Sequence, residues 1–357
     1  MTNSEPKMSA GYDVGFSNPL ELMLKESVEK ENSENDFPAC KLNRWDFYKQ
    51  TKAKLNEDFY QDIDGALTAG DSEHPAFTRH GLSHVNDVIR RVGQLLGLGS
   101  QASSPAAHNL SSYESFVLLV ACLIHDAGNK FGRDGHATKA KRILRQIANG
   151  VLNEKELSII SKVAQAHGGK AADGSKDTIG ALPEKDGVES CEVRLQLLAA
   201  LLRYGDELAE NQGRANTRGV AESDFPNLFC KCISVNVDYE NRRVSLDFAI
   251  NNGESNQYGS NEQGENMYFV DYIWNRVVKA ELERRYCDQF LRGFSTYRET
   301  RVTADFCHDD REWREQIAFT LTDSGYPDDR DLRSKPKLDG KKIADLYDDY
   351  TSRERQS

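Results

Sequence analysis

Phe116-Val117-Leu118-Leu119-Val120-Ala121-Cys122-Leu123-Ile124-His125-Asp126 stays apolar for nine residues and then ends on an imidazole and a carboxylate. Nine apolar residues fall well short of the roughly 18 that a membrane span requires. The run therefore reads as a central helix, wrapped by others, with two ligand-type side chains at its mouth. Upstream, Val85, Val88, Ile89, Val92, Leu95 and Leu96 follow the i, i+3, i+4, i+7 rule up to Gly97. Downstream, Ala140, Ile143, Leu144 and Ile147 make a third stripe that stops at Gly150. A fourth carries Leu157, Ile160, Val163 and Ala164; it opens at Asn153 with Glu156 three residues on, a capping arrangement, and closes at Gly168-Gly169. Leu195, Leu198, Ala199 and Leu202 form a fifth.

Polar groups recur at the ends of these stripes. His84 lies four residues before Val88, His136 four before Ala140, His167 four after Val163, and Asp206 four after Leu202, each on the side that its own helix buries. A single residue of this kind is more often a core or capping residue than a ligand. Five elements that present imidazole or carboxylate inward are a different case, because unpaired buried carboxylates are costly and a shared metal satisfies them together. Mixed nitrogen and oxygen donors suit Mn, Fe, Co, Ni or Zn better than calcium.

The period changes after Ala209. Ile233, Val235 and Val237, then Val244, Leu246, Phe248 and Ile250, alternate with polar residues across a turn at Glu240-Asn241, which is a hairpin pattern. Val270, Ile273, Trp274 and Val277 begin a long helix to about Leu291, and Val302, Ala304 and Phe306 a short strand. The expected fold is mainly α, a helical bundle over 40–215 followed by a small α+β unit over 216–320. A mobile N-terminal arm is expected over 1–39 and a polar tail over 321–357.

The chain has 357 residues, with 46 Lys+Arg against 57 Asp+Glu, for a formal charge of -11. That balance opposes the basic footprint of extended nucleic-acid binding, while a small anionic substrate or a short single-stranded end stays open. The start shows no secretory pattern, and seven scattered cysteines fit reduced thiols, so a cytoplasmic location away from membranes is expected.

His84, the pair His125-Asp126 and the distant Asp206, in this order on helices, resemble the HD phosphohydrolase superfamily over about 42–215. The resemblance implies an HD-type bundle in which those four residues hold one divalent metal, Mg included. It also implies that His136 and His167 add ligands for a second metal, with Asp126 bridging. His80, in Arg79-His80-Gly81-Leu82-Ser83-His84, stands where cyclic-nucleotide phosphodiesterases carry the histidine that protonates the leaving oxygen; a helix-start cap is its plain alternative. Lys130 matches a phosphate-contacting lysine of several branches, with a solvated lysine as the alternative, and Arg79 and Arg203 are further phosphate candidates. Catalysis would thus fall to His80, Lys130 and Asp126. Thr78-Arg79-His80 and Leu202-Arg203-Tyr204-Gly205-Asp206-Glu207-Leu208 resemble a bacterial HD branch associated with Hsp90-like ATPase partners and antiviral defence.

The implied activity is phosphomonoester, diester or anhydride hydrolysis of a nucleotide through a metal-bound hydroxide, manganese included among the metals. A single-strand nuclease and a non-catalytic nucleotide sensor are the competing readings. Other signals carry less. Cys230 and Cys232 read as structural cysteines on one face of a strand, and Gly169 to Lys176 lacks the lysine and preceding strand of a P-loop. The run Asp328-Asp329-Arg330-Asp331 reads as a solvated segment.

Overall fold

The computed structural model describes residues 16–30, 33–63, 78–101, 105–132, 135–215, 224–261, 264–292, 294–309, 311–322 and 336–354. It is mainly helical, with a mixed sheet toward the C-terminus. Helix α1 (Pro19–Glu29) is followed by α2 (Arg44–Leu55), α3 (Leu82–Leu95) and α4 (Ser112–Ile124). Every residue of α4 from Tyr113 to Ile124 is buried, as an all-round apolar helix must be. Its first turn is fixed by a capping box between Ser111 and Glu114, and Glu114 also accepts from the Arg194 guanidinium at 2.8 and 2.6 Å. Helices α5 (Ala140–Ala148), α6 (Glu154–Gln165) and α7 (Leu195–Glu207) complete the bundle, with a small hairpin of β1 (Asp186–Val188) and β2 (Cys191–Val193) before α7.

Helix α8 (Phe225–Cys232) leads into β3 (Ile233–Asp238) and β4 (Arg243–Asn251), paired antiparallel as the alternation predicts. A second small hairpin, β5 (Tyr258–Ser260) with β6 (Asn266–Tyr268), precedes the long helix α9 (Phe269–Leu291). The strand expected around Val302 is longer than its apolar alternation suggested: β7 (Glu299–His308) runs parallel to β4, with α9 as the crossover that parallel pairing demands. Short β8 (Arg311–Glu312) and then β9 (Ile317–Thr322) pair antiparallel with β7. Helix α9 lies against α7, and one continuous hydrophobic core joins the bundle to the sheet. Ser295 and Tyr297 hydroxyls donate to the Leu95 carbonyl at 2.6 and 3.1 Å, tying the end of α3 to the α+β part.

Two segments differ from expectation. Residues 19–29, read as arm, form α1 and bury Leu20 and Leu24 against the bundle. The physical reason is a buried charge pair: Glu21 Oε1 accepts from Lys52 Nζ at 2.7 Å and from the Tyr48 hydroxyl at 2.6 Å, all three fully buried. In the expected tail, Gly340–Glu354 form α10, which buries Ile343, Ala344 and Tyr347. The arm's first fifteen residues, the domain border at 216, and the acidic run 328–331 lie outside the described residues.

Candidate metal centre

The bundle brings His84, His125, Asp126, His136, His167 and Asp206 to one place from five different segments. His84 sits in the first turn of α3, and His125 and Asp126 follow the last turn of α4. His167 follows α6, and Asp206 sits in the last turn of α7. His136 departs slightly from expectation. It opens a 3-10 turn, His136–Lys139, after Gly135 in the left-handed region, and α5 proper starts only at Ala140.

Asp126 divides its two oxygens. Oδ2 lies 3.7 Å from His84 Nε2 and 3.6 Å from His125 Nε2, while Oδ1 lies 3.3 Å from His136 Nε2 and 3.7 Å from His167 Nε2. Asp206 Oδ1 stands 3.1 Å from His84 Nε2 and 3.7 Å from His125 Nε2. Two ligand triads result, His84-His125-Asp126 and Asp126-His136-His167, with donor atoms in each within 4.8 Å of one another.

Backbone carbonyls set the tautomers. His125 Nδ1 faces the Cys122 carbonyl at 2.8 Å and His167 Nδ1 faces that of Ala164 at 2.6 Å. A carbonyl only accepts, so each Nδ1 carries a proton and Nε2 is the nitrogen turned toward the cluster. Close packing supplies the remaining precision: a Cβ on Gly205 would meet Val92 Cγ2 at 2.6 Å, so α7 presses on α3 and Asp206 reaches His84.

Burial lowers His84, helped by the Arg214 guanidinium, and lowers His167, helped by His125. Burial also opposes charge on His125, but Asp126 and Asp206 outweigh it and bring that ring up to about 9. Both aspartates are held well below the usual carboxylate range by the imidazoles around them, against the upward push of burial.

A divalent cation fits these residues. The Nε2 atoms of His84 and His125 are buried and make no hydrogen bond of proper geometry, even though Asp206 is close to both. Buried imidazole nitrogens without hydrogen bonds, with two carboxylates close by to balance charge, are what an N/O metal site needs.

A cavity of about 570 Å³ opens above the cluster. His80 lines it, with Nδ1 2.5 Å from the Thr78 carbonyl and Nε2 3.0 Å from Arg214 Nη2, so Arg214 donates to its ring. Arg203 also lines it, but as a brace. Its guanidinium donates to Glu283 at 2.7 and 2.8 Å, to Thr178 Oγ1 at 2.9 Å and to the Lys176 carbonyl at 3.1 Å. A phosphate contact from Arg203 would have to compete with this carboxylate of α9.

Two further candidates stand elsewhere. Lys130 is drawn away by Asp62, 2.8 Å distant, by the Asp58 carbonyl and by the Phe59 ring. Arg79 takes no part in the cavity lining; its backbone serves instead, donating to the Arg214 carbonyl at 2.9 Å and accepting from Arg214 Nε at 3.2 Å. Cys230 and Cys232 belong to α8 rather than to a strand, and the Cys230 thiol donates to Glu210 at 3.3 Å.

Sequence reading missed the cavity's other wall. Glu207 and Glu210, Arg214, and Arg276 and Lys279 of α9 line it. Their pattern on the sequence is that of solvated helix faces, so only the packing of α9 on α7 reveals them. Arg214 alone left a signal, as a basic residue eight beyond Asp206.

Helices that converge histidines and aspartates on one buried point are the arrangement that the resemblance to HD domains leads one to expect. More narrowly, residues 74–228 match the model of the HD-CE family, an HD-domain family, and the six clustered residues all fall inside that stretch. No curated protein is matched by the chain. Fold and cluster together point to a metal-dependent phosphohydrolase. No helix among the described residues is long and apolar enough to cross a membrane.

Proposed function

We propose that the chain hydrolyses a phosphoester of a nucleotide or nucleotide-like substrate, with two divalent ions at the cluster. The observation that carries this reading is the division of Asp126, one oxygen toward His84 and His125 and the other toward His136 and His167. His84, His125, Asp126 and Asp206 would hold one ion; Asp126, His136 and His167 the other. When bound, such ions lower the pKa of water toward neutrality and withdraw charge from phosphoryl oxygens.

The chain's own groups do the rest. The carbonyls of Cys122 and Ala164 keep two imidazoles in the tautomer that presents Nε2. Arg276, Lys279 and Glu283 of α9 form one side of the cavity. Arg214 orients the His80 ring at the cavity wall and places a cation beside the cluster.

The test is elemental analysis of protein purified without chelator, alongside Asp126→Ala, followed by a screen of nucleotides with Mn, Co, Ni, Zn and Mg. About two ions per chain and phosphoester hydrolysis, both lost in the variant, are expected. Nucleotide binding without turnover in every metal-loaded form would overturn hydrolysis and leave a sensor.

A further inference from the structure

Part of the cavity's outer wall, from α9, lies beyond residue 228, outside the HD-CE match, and the wall is not neutral. Besides the cluster and the Arg203–Glu283 brace, the lining carries Lys176, Arg214, Arg276 and Lys279 against Glu207 and Glu210. Cations outnumber carboxylates there although the whole chain stands at -11.

These groups form a row of alternating charge leading outward. Arg214 donates to His80 beside the cluster, and its Nη1 is 3.1 Å from Glu210 Oε1. Arg276 Nη2 is 3.0 Å from the same oxygen and 3.9 Å from Glu207 Oε1. Lys279 Nζ is 2.7 Å from Glu207 Oε2. Arg276 and Lys279 are three residues apart and share one face of α9, as Glu207 and Glu210 share one side of the chain leaving α7.

An oxyanion held between two guanidiniums has the charge and hydrogen-bonding geometry of a bound phosphate. Glu210 occupies the deep position. At the rim the pairing is open to solvent: the Lys279 side chain, 2.7 Å from the Glu207 carboxylate, is 50% exposed. Lys176, exposed on the facing loop, adds a third cation to the same mouth.

We propose that the substrate carries a second phosphate, beyond the one at the His/Asp cluster, and that Arg276 and Lys279 of α9 bind it, with Glu207 yielding Lys279 to it. This rests on the hydrolase reading above, and it narrows the substrate class to nucleoside di- or triphosphates and other multiply phosphorylated nucleotides.

The experiment is calorimetric titration of the full chain with inorganic triphosphate and with orthophosphate at one fixed free Mg²⁺ concentration. The parent should prefer triphosphate by about tenfold or more, the worth of one charge-assisted contact. Arg276→Ala with Lys279→Ala should bring that preference near unity. Glu207→Gln, which releases Lys279, should strengthen triphosphate binding severalfold, an effect that a purely structural Glu207 would not give. Lys279→Glu, at a half-exposed position, covers the case in which the double variant does not fold, and should abolish the preference. A parent without preference, or folded variants that retain it, overturns the proposal. Failure is separable from that of the hydrolase reading: an active chain blind to the second phosphate sinks only this inference, whereas an inactive chain that keeps the preference sinks only hydrolysis.

Discussion

A Cβ placed on Gly128 would stand 2.1 Å from the carbonyl oxygen of His136 and 2.7 Å from its carbonyl carbon. The two turns, Ala127–Phe131 and His136–Lys139, are thus in backbone contact, and this contact presents His136 to Asp126. Gly128→Ala must push the second turn away, at a stability cost of about 1–3 kcal/mol. The expected result is loss of one metal ion per chain with the His84-His125 side retained, read by elemental analysis. Two ions at parent stoichiometry would show that His136 is not held by this contact.

Gly205 makes the analogous contact between α7 and α3. Gly205→Ala should lower stability by about 1–3 kcal/mol and weaken metal binding by parting Asp206 from His84. Adding Val92→Ala vacates the volume that the new methyl needs, so the pair should be less harmful than the sum of the singles. Thermal melts of the four proteins decide it; strict additivity would mean that the helices do not meet at this point.

Arg203 is expected to act on stability more than on substrate affinity. Arg203→Ala and Glu283→Ala should each cost about 1–3 kcal/mol, and a double-mutant cycle should return a coupling of at least about 0.5 kcal/mol. Urea melts give the cycle. A variant of parent stability with a raised KM would restore the phosphate role read from the sequence.

Burial pushes the Glu210 carboxyl up, but Arg214 and Arg276 outweigh it and bring it down to about 2. A carboxyl that titrates lower folded than unfolded stabilises fully above its unfolded pKa, about 4.5, and loses that contribution as pH falls through about 2. Glu210→Gln should therefore be less stable than the parent by about 3 kcal/mol at pH 7. The gap should narrow as pH drops below about 4.5. Urea melts at pH 7, 4 and 3 measure it, and a gap independent of pH would show that the charge is not what matters.

What could be read in one dimension was whatever a helix or strand repeats. His84 and Asp206 share the phase of their apolar stripes, so a common inward direction followed from periodicity; His136, in a turn ahead of α5, comes inward through the contact at Gly128 instead. The β3–β4 hairpin followed from period two. Lys130 and Arg203 could not be placed this way, because their direction depends on Asp62 and Glu283, 68 and 80 positions away. Cys230 and Cys232 fit a strand by spacing alone, yet Pro226 in the first turn starts a helix there. Helix α1 was hidden because Glu21 and Lys52 look like surface residues until they are seen to neutralise each other.

That pair decides where the chain can be cut. The HD-CE match begins at 74, and α2 packs on α4 ahead of it, which invites a shortened protein beginning near the first residues of α2. Removing α1 would leave the Lys52 ammonium and the Tyr48 hydroxyl without Glu21 under what had been its cover. Burial already drags Lys52 downward, so losing the Glu21 carboxylate removes a charge that offsets this burial and costs the bundle stability. A shortened protein that keeps this buried pair has to begin ahead of Glu21, more than fifty residues before the start of the HD-CE match.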